Sequence, residues 1–297
     1  MSGLGPGDLE AVDSALRTAL RTGDHTGIDV LGYGEISTVV RWTTPGGSYA
    51  CKRLPPFDDE RRLEAYRAAL DAYLLRLAER GVAVIETTLA SFESDDGTLT
   101  AYCVQPVVDA ESLAPRVLAA GSEDEARALF AAILDAVTGC VGQSCGLDAQ
   151  LSNWAVRDSG LVYLDVTTPL MRDGADREVL DTDLFLASLP WALRWLVKRL
   201  MLRGILDTYY DVRAVVLDLL GNLHKEGLSH LVPALLPGAN ARVDVPLTAR
   251  EVLAYYKDDA RIWALLQRLR RADRWWQRRV RRRTYPFLLP GRIERRV

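Results

Sequence analysis

The chain has 297 residues, 48% of them apolar, with 37 Lys and Arg against 40 Asp and Glu for a formal net charge of −3. That length and apolar share suit one large or two modest domains with a sizeable core and exclude wholesale disorder; no uncharged apolar run of about 18 residues is present to span a membrane, since Arg194, Lys198, Arg199 and Arg203 interrupt residues 189–206. The charge is unevenly placed: residues 261–297 hold thirteen Arg and no Lys against Asp273 and Glu294, a surplus of +11, so the first 260 residues carry −14.

In chain order, the opening MSGLGPGDLE has neither a basic n-region nor an apolar h-region, so no signal peptide is expected. Leu9, Val12, Leu16 and Leu20 recur at helical spacing before a turn at Gly23-Asp24. Residues 28–32, 38–43 and 48–54 then read as short strands of an antiparallel meander, with a turn at Pro45-Gly46-Gly47. Asp58 or Asp59 caps a helix carrying Leu63, Tyr66, Leu70, Tyr73, Leu74 and Leu77, which stops at Gly81. Residues 89–93 and 99–104 form a hairpin across Ser94-Asp95-Asp96-Gly97, and Gln105-Pro106 ends the sheet.

A helix over 122–141 opens with the capping-box pair Ser122 and Glu125. Residues 154–157 and 161–164 are two further short strands, and from about Asp183 the pattern is helical. A strand-rich first third with one helix and a helix-rich remainder make an α+β chain of two lobes joined near Gln105. Cys51, Cys103, Cys140 and Cys145 lack CxxC spacing and there are three His, so neither a disulfide framework nor a zinc site is expected. A reducing cytoplasm is the expected setting.

The polar residues fall into two groups. In Gly32-Tyr33-Gly34-Glu35-Ile36-Ser37-Thr38-Val39, two glycines let the backbone between strands approach a polyphosphate; an ordinary hairpin is the plain alternative. Lys52, in the strand that follows, can carry a cation under that loop, or be an exposed strand Lys. In the second group Asp148 and Asn153 lie five apart in a polar loop, and Asp165 follows Asn153 by twelve. A hairpin of that length brings Asn153 and Asp165 side by side as hard oxygen ligands suited to Mg²⁺, with Asp148 opposite as an uncoordinated carboxylate. The plain alternative makes Asp148 and Asn153 turn formers and Asp165 a strand-end cap.

Gly-x-Gly-x-x-Ser-x-Val, a strand Lys, a Pro-containing connector, Asp-x4-Asn and a strand-end Asp, in this order over roughly residues 28–190, resemble the protein kinase and aminoglycoside phosphotransferase superfamily. The resemblance implies a protein kinase-like two-lobed fold: a helix over 1–27 packing on the first lobe, a small antiparallel-sheet lobe over 28–105, and a larger, mainly helical lobe over 106–297 that includes the Arg-rich 261–297. It implies ATP and Mg²⁺ as cofactors. Gly32, Gly34 and Ser37 would cover the phosphates, Lys52 would pair the α- and β-phosphates, and Gln105 to Val107 would form an adenine-contacting hinge. Asp148 would orient or deprotonate an acceptor hydroxyl, Asn153 and Asp165 would hold Mg²⁺, and Asp183 would be a buried support of the catalytic loop. For the carboxylate that pairs with Lys52 both Glu64 and Asp71 stand, Glu64 slightly ahead on side-chain reach.

Departures from the family pattern narrow the expectation. Gly146-Leu147 stand where protein kinases carry His-Arg, Val166-Thr167 follow Asp165 in place of Phe-Gly, and no Ala-Pro-Glu motif follows, so control by a phosphorylated activation loop is not expected. The expected activity is transfer of the γ-phosphoryl group to a hydroxyl of a small molecule or of a peptide Ser or Thr. The alternative is a kinase-like pseudoenzyme or binding module whose Arg-rich tail recruits an anionic partner. Residues 190–206 read either as a membrane-surface helix or as a helix packing its aromatic side inward. The tail, with Trp275 and Trp276 among its arginines and Tyr285-Pro286-Phe287-Leu288-Leu289-Pro290-Gly291 after them, reads either as a brace against the acidic body or as a surface for an acidic peptide or anionic lipid, nucleic acid being the less favoured partner.

Overall fold

The computed structural model describes residues 4–33, 38–94, 97–186, 189–285 and 288–289. Gly34 and Ser37 of the glycine-bearing turn, Asp95 and Asp96 of the hairpin turn, and Pro286, Phe287, Pro290 and Gly291 of the tail lie outside the described residues.

Helix α1 (Pro6–Thr22) starts on a proline, whose missing N–H is harmless in a first turn, and Asp8 accepts from the Gly5 N–H at 3.0 Å. It stops at Gly23, which takes a φ of +80° and donates its N–H to Ala19 O at 2.8 Å. Strands β1 (Asp29–Tyr33), β2 (Thr38–Thr44) and β3 (Gly47–Arg53) follow as a meander, then helix α2 (Glu60–Glu79), then β4 (Thr88–Glu93) and β5 (Leu99–Pro106). Asp59 caps α2 by accepting from the Arg62 N–H at 2.8 Å. The strands form one antiparallel sheet in the order β1-β2-β3-β5-β4.

That order places β5 inside the sheet, where the two-residue repeat of a strand decides what each face touches. Ala101 and Cys103 join the core that contains Leu63, Tyr66, Leu70, Tyr73 and Leu77 of α2. Tyr102 and Val104 join Leu9, Val12, Leu16 and Leu20 of α1 on the opposite face. Polar groups lock this second face as well. Asp13 of α1 is almost fully buried, and its Oδ1 accepts from Arg53 Nε at 2.7 Å and from the Tyr102 hydroxyl at 2.8 Å. Burial works against the Arg53 charge, but Tyr102 and Asp13 more than offset it and hold its pKa above the ordinary value.

The second half is mainly helical. It holds α3 (Ala114–Ala120), α4 (Glu123–Cys140), the two-stranded ribbon of β6 (Trp154–Arg157) and β7 (Gly160–Tyr163), α5 (Thr182–Leu186), α6 (Trp191–Leu200), α7 (Leu202–Asp207), α8 (Val212–Lys225), α9 (Val232–Asn240) and α10 (Ala249–Arg279). Ser122 and Glu125 form the capping box at the start of α4. A single apolar cluster runs from Leu70 and Tyr73 of α2, through Phe130 and Ile133 of α4, to Trp154, Tyr163 and Leu219. The four cysteines are buried free thiols, with Cys140 and Cys145 in sulfur contact at 3.4 Å. Among the described residues no helix is long and apolar enough to cross a membrane.

Two expectations about the helical half change. Residues 190–206 are two helices rather than one, divided at Met201, and the aromatic side does not simply turn inward. Leu202 and Leu206 are buried, whereas Trp195, Leu200 and Met201 are exposed. The Arg-rich tail is in part a brace. Helix α10 packs on α8 at its start and is about 46 Å long at 1.5 Å per residue. At its far end Arg278 Nη2 donates to Leu20 O at 2.5 Å and to Arg21 O at 3.4 Å, closing the carbonyl end of α1 with a cation. Tyr285, Leu288 and Leu289 are buried beyond it, Leu288 within the α1 cluster.

Replacing Asp13 by Ala removes the acceptor that both Arg53 and Tyr102 use, leaving a charge uncompensated under α1. The expected loss is about 3–5 kcal/mol of unfolding free energy in urea denaturation. A loss no larger than the ~1 kcal/mol typical of a surface pair would show that apolar packing alone holds α1.

Candidate functional site

Lys52 lies on β3 opposite Cys103 of β5, on the sheet face that α2 covers. Its ammonium donates to Asp165 Oδ1 at 2.7 Å, joining residues 113 positions apart, with the two side chains 17% and 32% exposed. Asp165 stands two residues past the end of β7. The same Oδ1 accepts from the Thr167 hydroxyl at 2.8 Å and from its N–H at 3.3 Å. Burial pulls the Asp165 carboxyl up, but Lys52 and then Thr167 outweigh it and hold the pKa below the ordinary carboxylate value.

The segment carrying Asp165 is tied on both sides. Tyr163 donates its N–H to Ala83 O at 2.8 Å and Ile85 donates to Tyr163 O at 3.0 Å, so the connector after α2 runs beside β7. Gln105 Nε2, at the end of β5, donates to Leu164 O at 2.8 Å and to Thr87 Oγ1 at 2.9 Å. From α2, the Tyr66 hydroxyl donates to Thr167 O at 2.9 Å.

The Asp148 loop is held by its backbone. Its carbonyl accepts from Asn153 Nδ2 and from the Tyr163 hydroxyl, both at 3.0 Å. Leu164 donates its N–H to Asn153 O at 2.8 Å, which brings Asn153 alongside the chain entering Asp165. One step back, the Tyr73 hydroxyl of α2 donates to Gly146 O at 3.0 Å, Gly146 N–H donates to Leu170 O and Leu147 N–H to Tyr209 O. A Cβ at Gly146 would lie 3.0 Å from Tyr209 O and 3.1 Å from Leu170 Cβ, so a side chain at this position has no room. Burial raises the Tyr66, Tyr73 and Tyr163 phenols well above their ordinary value, so each remains a proton donor at neutral pH.

Lys52, Asp165, Asn153 and Asp148 therefore come together. Other expected site residues do not join them. Glu64 is exposed and accepts from Arg67 Nε at 3.2 Å, and Asp71 is exposed too, so neither serves as the partner of Lys52. The cause is the helix face: α2 turns Leu63, Tyr66, Leu70 and Tyr73 inward, and the carboxylates lie outside that stripe. Val107 donates its N–H to Ser48 O at 3.0 Å, extending the sheet ladder past Pro106 into the segment expected to contact adenine. Asp183 is not buried; it pairs with Lys198 on the surface, while Asp181 receives Arg62 of α2. Gly32 lies at an irregularity of register in β1 opposite Val39, with Gly34 and Ser37 outside the described residues.

The sequence places Tyr66 and Tyr73 only in the apolar stripe of a helix and Thr167 only after Asp165, with no hydrogen-bonding role for these residues or for Tyr163. Tyr66 and Tyr73 sit seven apart in the apolar stripe of α2, and a buried Tyr carries a hydroxyl that must find an acceptor, which was the available signal.

Because the Asp165 pKa is lowered in the folded chain, its ionisation stabilises the fold above the ordinary Asp value of about 4 and that contribution is lost as pH falls through the lowered folded value. Urea midpoints measured from pH 7 down to pH about 2 should fall further for the wild type than for Asp165→Asn. Parallel curves would mean that Lys52 and Thr167 do not favour the ionised form.

No curated protein matches the chain. Among solved structures, the crystal structure of a point mutant of the Mycobacterium tuberculosis PknI kinase domain is similar at 17% identity over 81% of this chain and 85% of that chain, with a TM-score of 0.33. A second crystal structure of the M. tuberculosis PknI kinase domain is similar at 18% identity over 54% of this chain and 68% of that one, with a TM-score of 0.28. At such TM-scores the chains share no close superposition. The family model described as a family of unknown function, DUF6206, matches residues 11–274, and the chain belongs to that family.

Proposed function

We propose that the chain is an ATP- and Mg²⁺-dependent phosphotransferase of kinase-like two-lobed architecture, moving the γ-phosphoryl group to a hydroxyl of a small molecule or of a peptide Ser or Thr. The observation that carries this reading is the Lys52–Asp165 pair, with Asn153 and Asp148 on the adjoining loop. Catalysis of this class asks for positioning and charge stabilisation more than for covalent chemistry.

The donor set fits a magnesium ion. Lys52 and Thr167 both donate to Asp165 Oδ1, and among the described residues Oδ2 has no donor. Asn153 uses its Nδ2 to hold Asp148 O, and its Oδ1 has no described partner. One carboxylate oxygen and one amide oxygen on adjoining segments are the hard ligands that Mg²⁺ takes together with waters and phosphate oxygens. Bound there, the ion supplies charge neutralisation for a polyphosphate.

Lys52 places its ammonium beside the nucleotide phosphates. Asp148 orients the acceptor hydroxyl and takes its proton as the acceptor oxygen bonds to the γ-phosphorus and ADP leaves. Tyr73 and Tyr163, through Gly146 O and Asp148 O, keep the loop from drifting. The four free cysteines support a reducing, cytoplasmic setting.

A second reading has a specific observation behind it. The Val107 amide, in the segment expected to contact adenine, is engaged by Ser48 O, which leaves that segment one donor short and favours a kinase-like binding module whose Arg-rich tail recruits an anionic partner.

A thermal-shift measurement with ATP and Mg²⁺, followed by phosphoryl transfer to a panel of hydroxyl compounds and peptides, separates the two. Asp148→Ala should bind ATP as the wild type does and lose transfer by about a hundredfold or more. Asp165→Ala should abolish the metal-dependent part of turnover. Full transfer by Asp148→Ala would discard the assignment, and nucleotide binding without turnover in the wild type would favour the module.

A further inference from the structure

The Arg-rich part of α10 has two faces with different work. Gln267 and Arg270 are buried and Arg278 closes α1, so that side is engaged within the chain. The other side is a ridge at three- and four-residue spacing: Arg261, Leu265, Arg268, Ala272, Trp275 and Arg279. Its large apolar members are strongly exposed, Leu265 at 57% and Trp275 at 61%, and Ile262 at 67% and Trp276 at 42% flank them. Apolar side chains of this size in solvent, along one line, need a reason.

Arg261, at the start of the ridge, is paired with Asp258 at 2.8 Å, and beyond it the charge along the ridge is of one sign. Residues 261–285 hold ten Arg against Asp273 alone. Among the described residues Arg268, Arg279, Arg281 and Arg282 have no acidic partner in ion-pair range, so the −14 body does not neutralise them.

We propose that this outer face of α10 docks on an anionic phospholipid surface, lying in the plane of the headgroups. The stretch from Ile262 to Val280 runs as a ridge of about 27 Å at 1.5 Å per residue. A fluid bilayer accepts such a ridge, taking Trp and Leu to the acyl boundary while the arginines stay among the phosphates. Indole rings favour that zone, being apolar with one N–H that stays wet. Other occupants fit less well. A second copy would set arginine stripe against arginine stripe, and a nucleic-acid surface would leave Ile262 and Leu265 without an apolar counterpart. The start of α6 lies near the same end, since Arg194 and Arg274 both act on the Tyr285 hydroxyl. This inference stands apart from the proposed transfer chemistry, as no ridge residue belongs to the Lys52–Asp165 site.

Sedimentation of the full chain with phosphatidylcholine vesicles, with and without phosphatidylglycerol, tests it. The chain should pellet with the phosphatidylglycerol vesicles at low salt, stay in solution with phosphatidylcholine alone, and be released by added salt. Arg268→Glu with Arg279→Glu should weaken the binding by about thirtyfold or more, and Trp275→Ala with Trp276→Ala should weaken it too, each with the wild-type circular dichroism and melting temperature. Wild-type chain left in solution with phosphatidylglycerol vesicles, or charge-reversed chain bound as tightly as wild type, would overturn the proposal. So would a lipid-free dimer, seen in analytical ultracentrifugation, that the Trp substitutions dissolve, or a DNA duplex that vesicles fail to displace.

Discussion

The ion pair between Lys52 and Asp165 closes a 113-residue span, and most of what lies between serves to make that closure affordable. Two charged groups on long, independent segments would not hold a 2.7 Å contact against the entropy of the loop and the pull of solvent. Helix α2 supplies the constraint. It is buried against the sheet on its Leu63 and Leu70 side, and Tyr66 and Tyr73 on the same stripe reach into the helical half to Thr167 O and Gly146 O. One rigid element thus carries the distance between the sheet that owns Lys52 and the loops that own Asp165 and Asp148. The hydroxyl of Tyr163 and the amide of Gln105 repeat the tactic from β7 and β5.

What could be read from the sequence was what local chemistry decides. The start of α2 at Asp58 or Asp59, which proves to be Asp59, the capping box at Ser122 and the stop at Gly23 each follow from a residue acting on its own neighbours. The return of the chain past Asn153 at Leu164, next to Asp165, was legible too, because a short hairpin forces it. The partner of Lys52 was not. Spacing favours Asp71 and side-chain reach favours Glu64, yet the rotation of a helix about its axis is set by which face the core accepts, and apolar Leu63 and Leu70 win that contest over carboxylates. The same limit hid the break at Met201: composition ran smoothly through residues 190–206, and only packing of Leu202 and Leu206 turned the chain.

The N–H of Val107 illustrates a tension between ladder and site. A strand that ends at Pro106 frees the next amide in principle, but the partner strand begins at Gly47, and Ser48 O is in place to take it. The sheet gains a bond and the connector between the two halves becomes stiffer. Relative movement of the halves would then have to arise elsewhere than at this strand.

The contact of Arg278 with the carbonyls of Leu20 and Arg21 joins the far end of α10 to α1 across 258 and 257 positions of sequence. During synthesis, α1 emerges early, and with it the apolar face that Leu288 later helps to cover. Those carbonyls stay without their cation until Arg278 has left the ribosome. The sheet can pair with α1 long before that, through Asp13, but the finished packing around it waits on the final helix. The packing around α1 is therefore completed by a side chain 258 positions downstream of Leu20, and a chain cut before residue 278 leaves those two carbonyls without their cation.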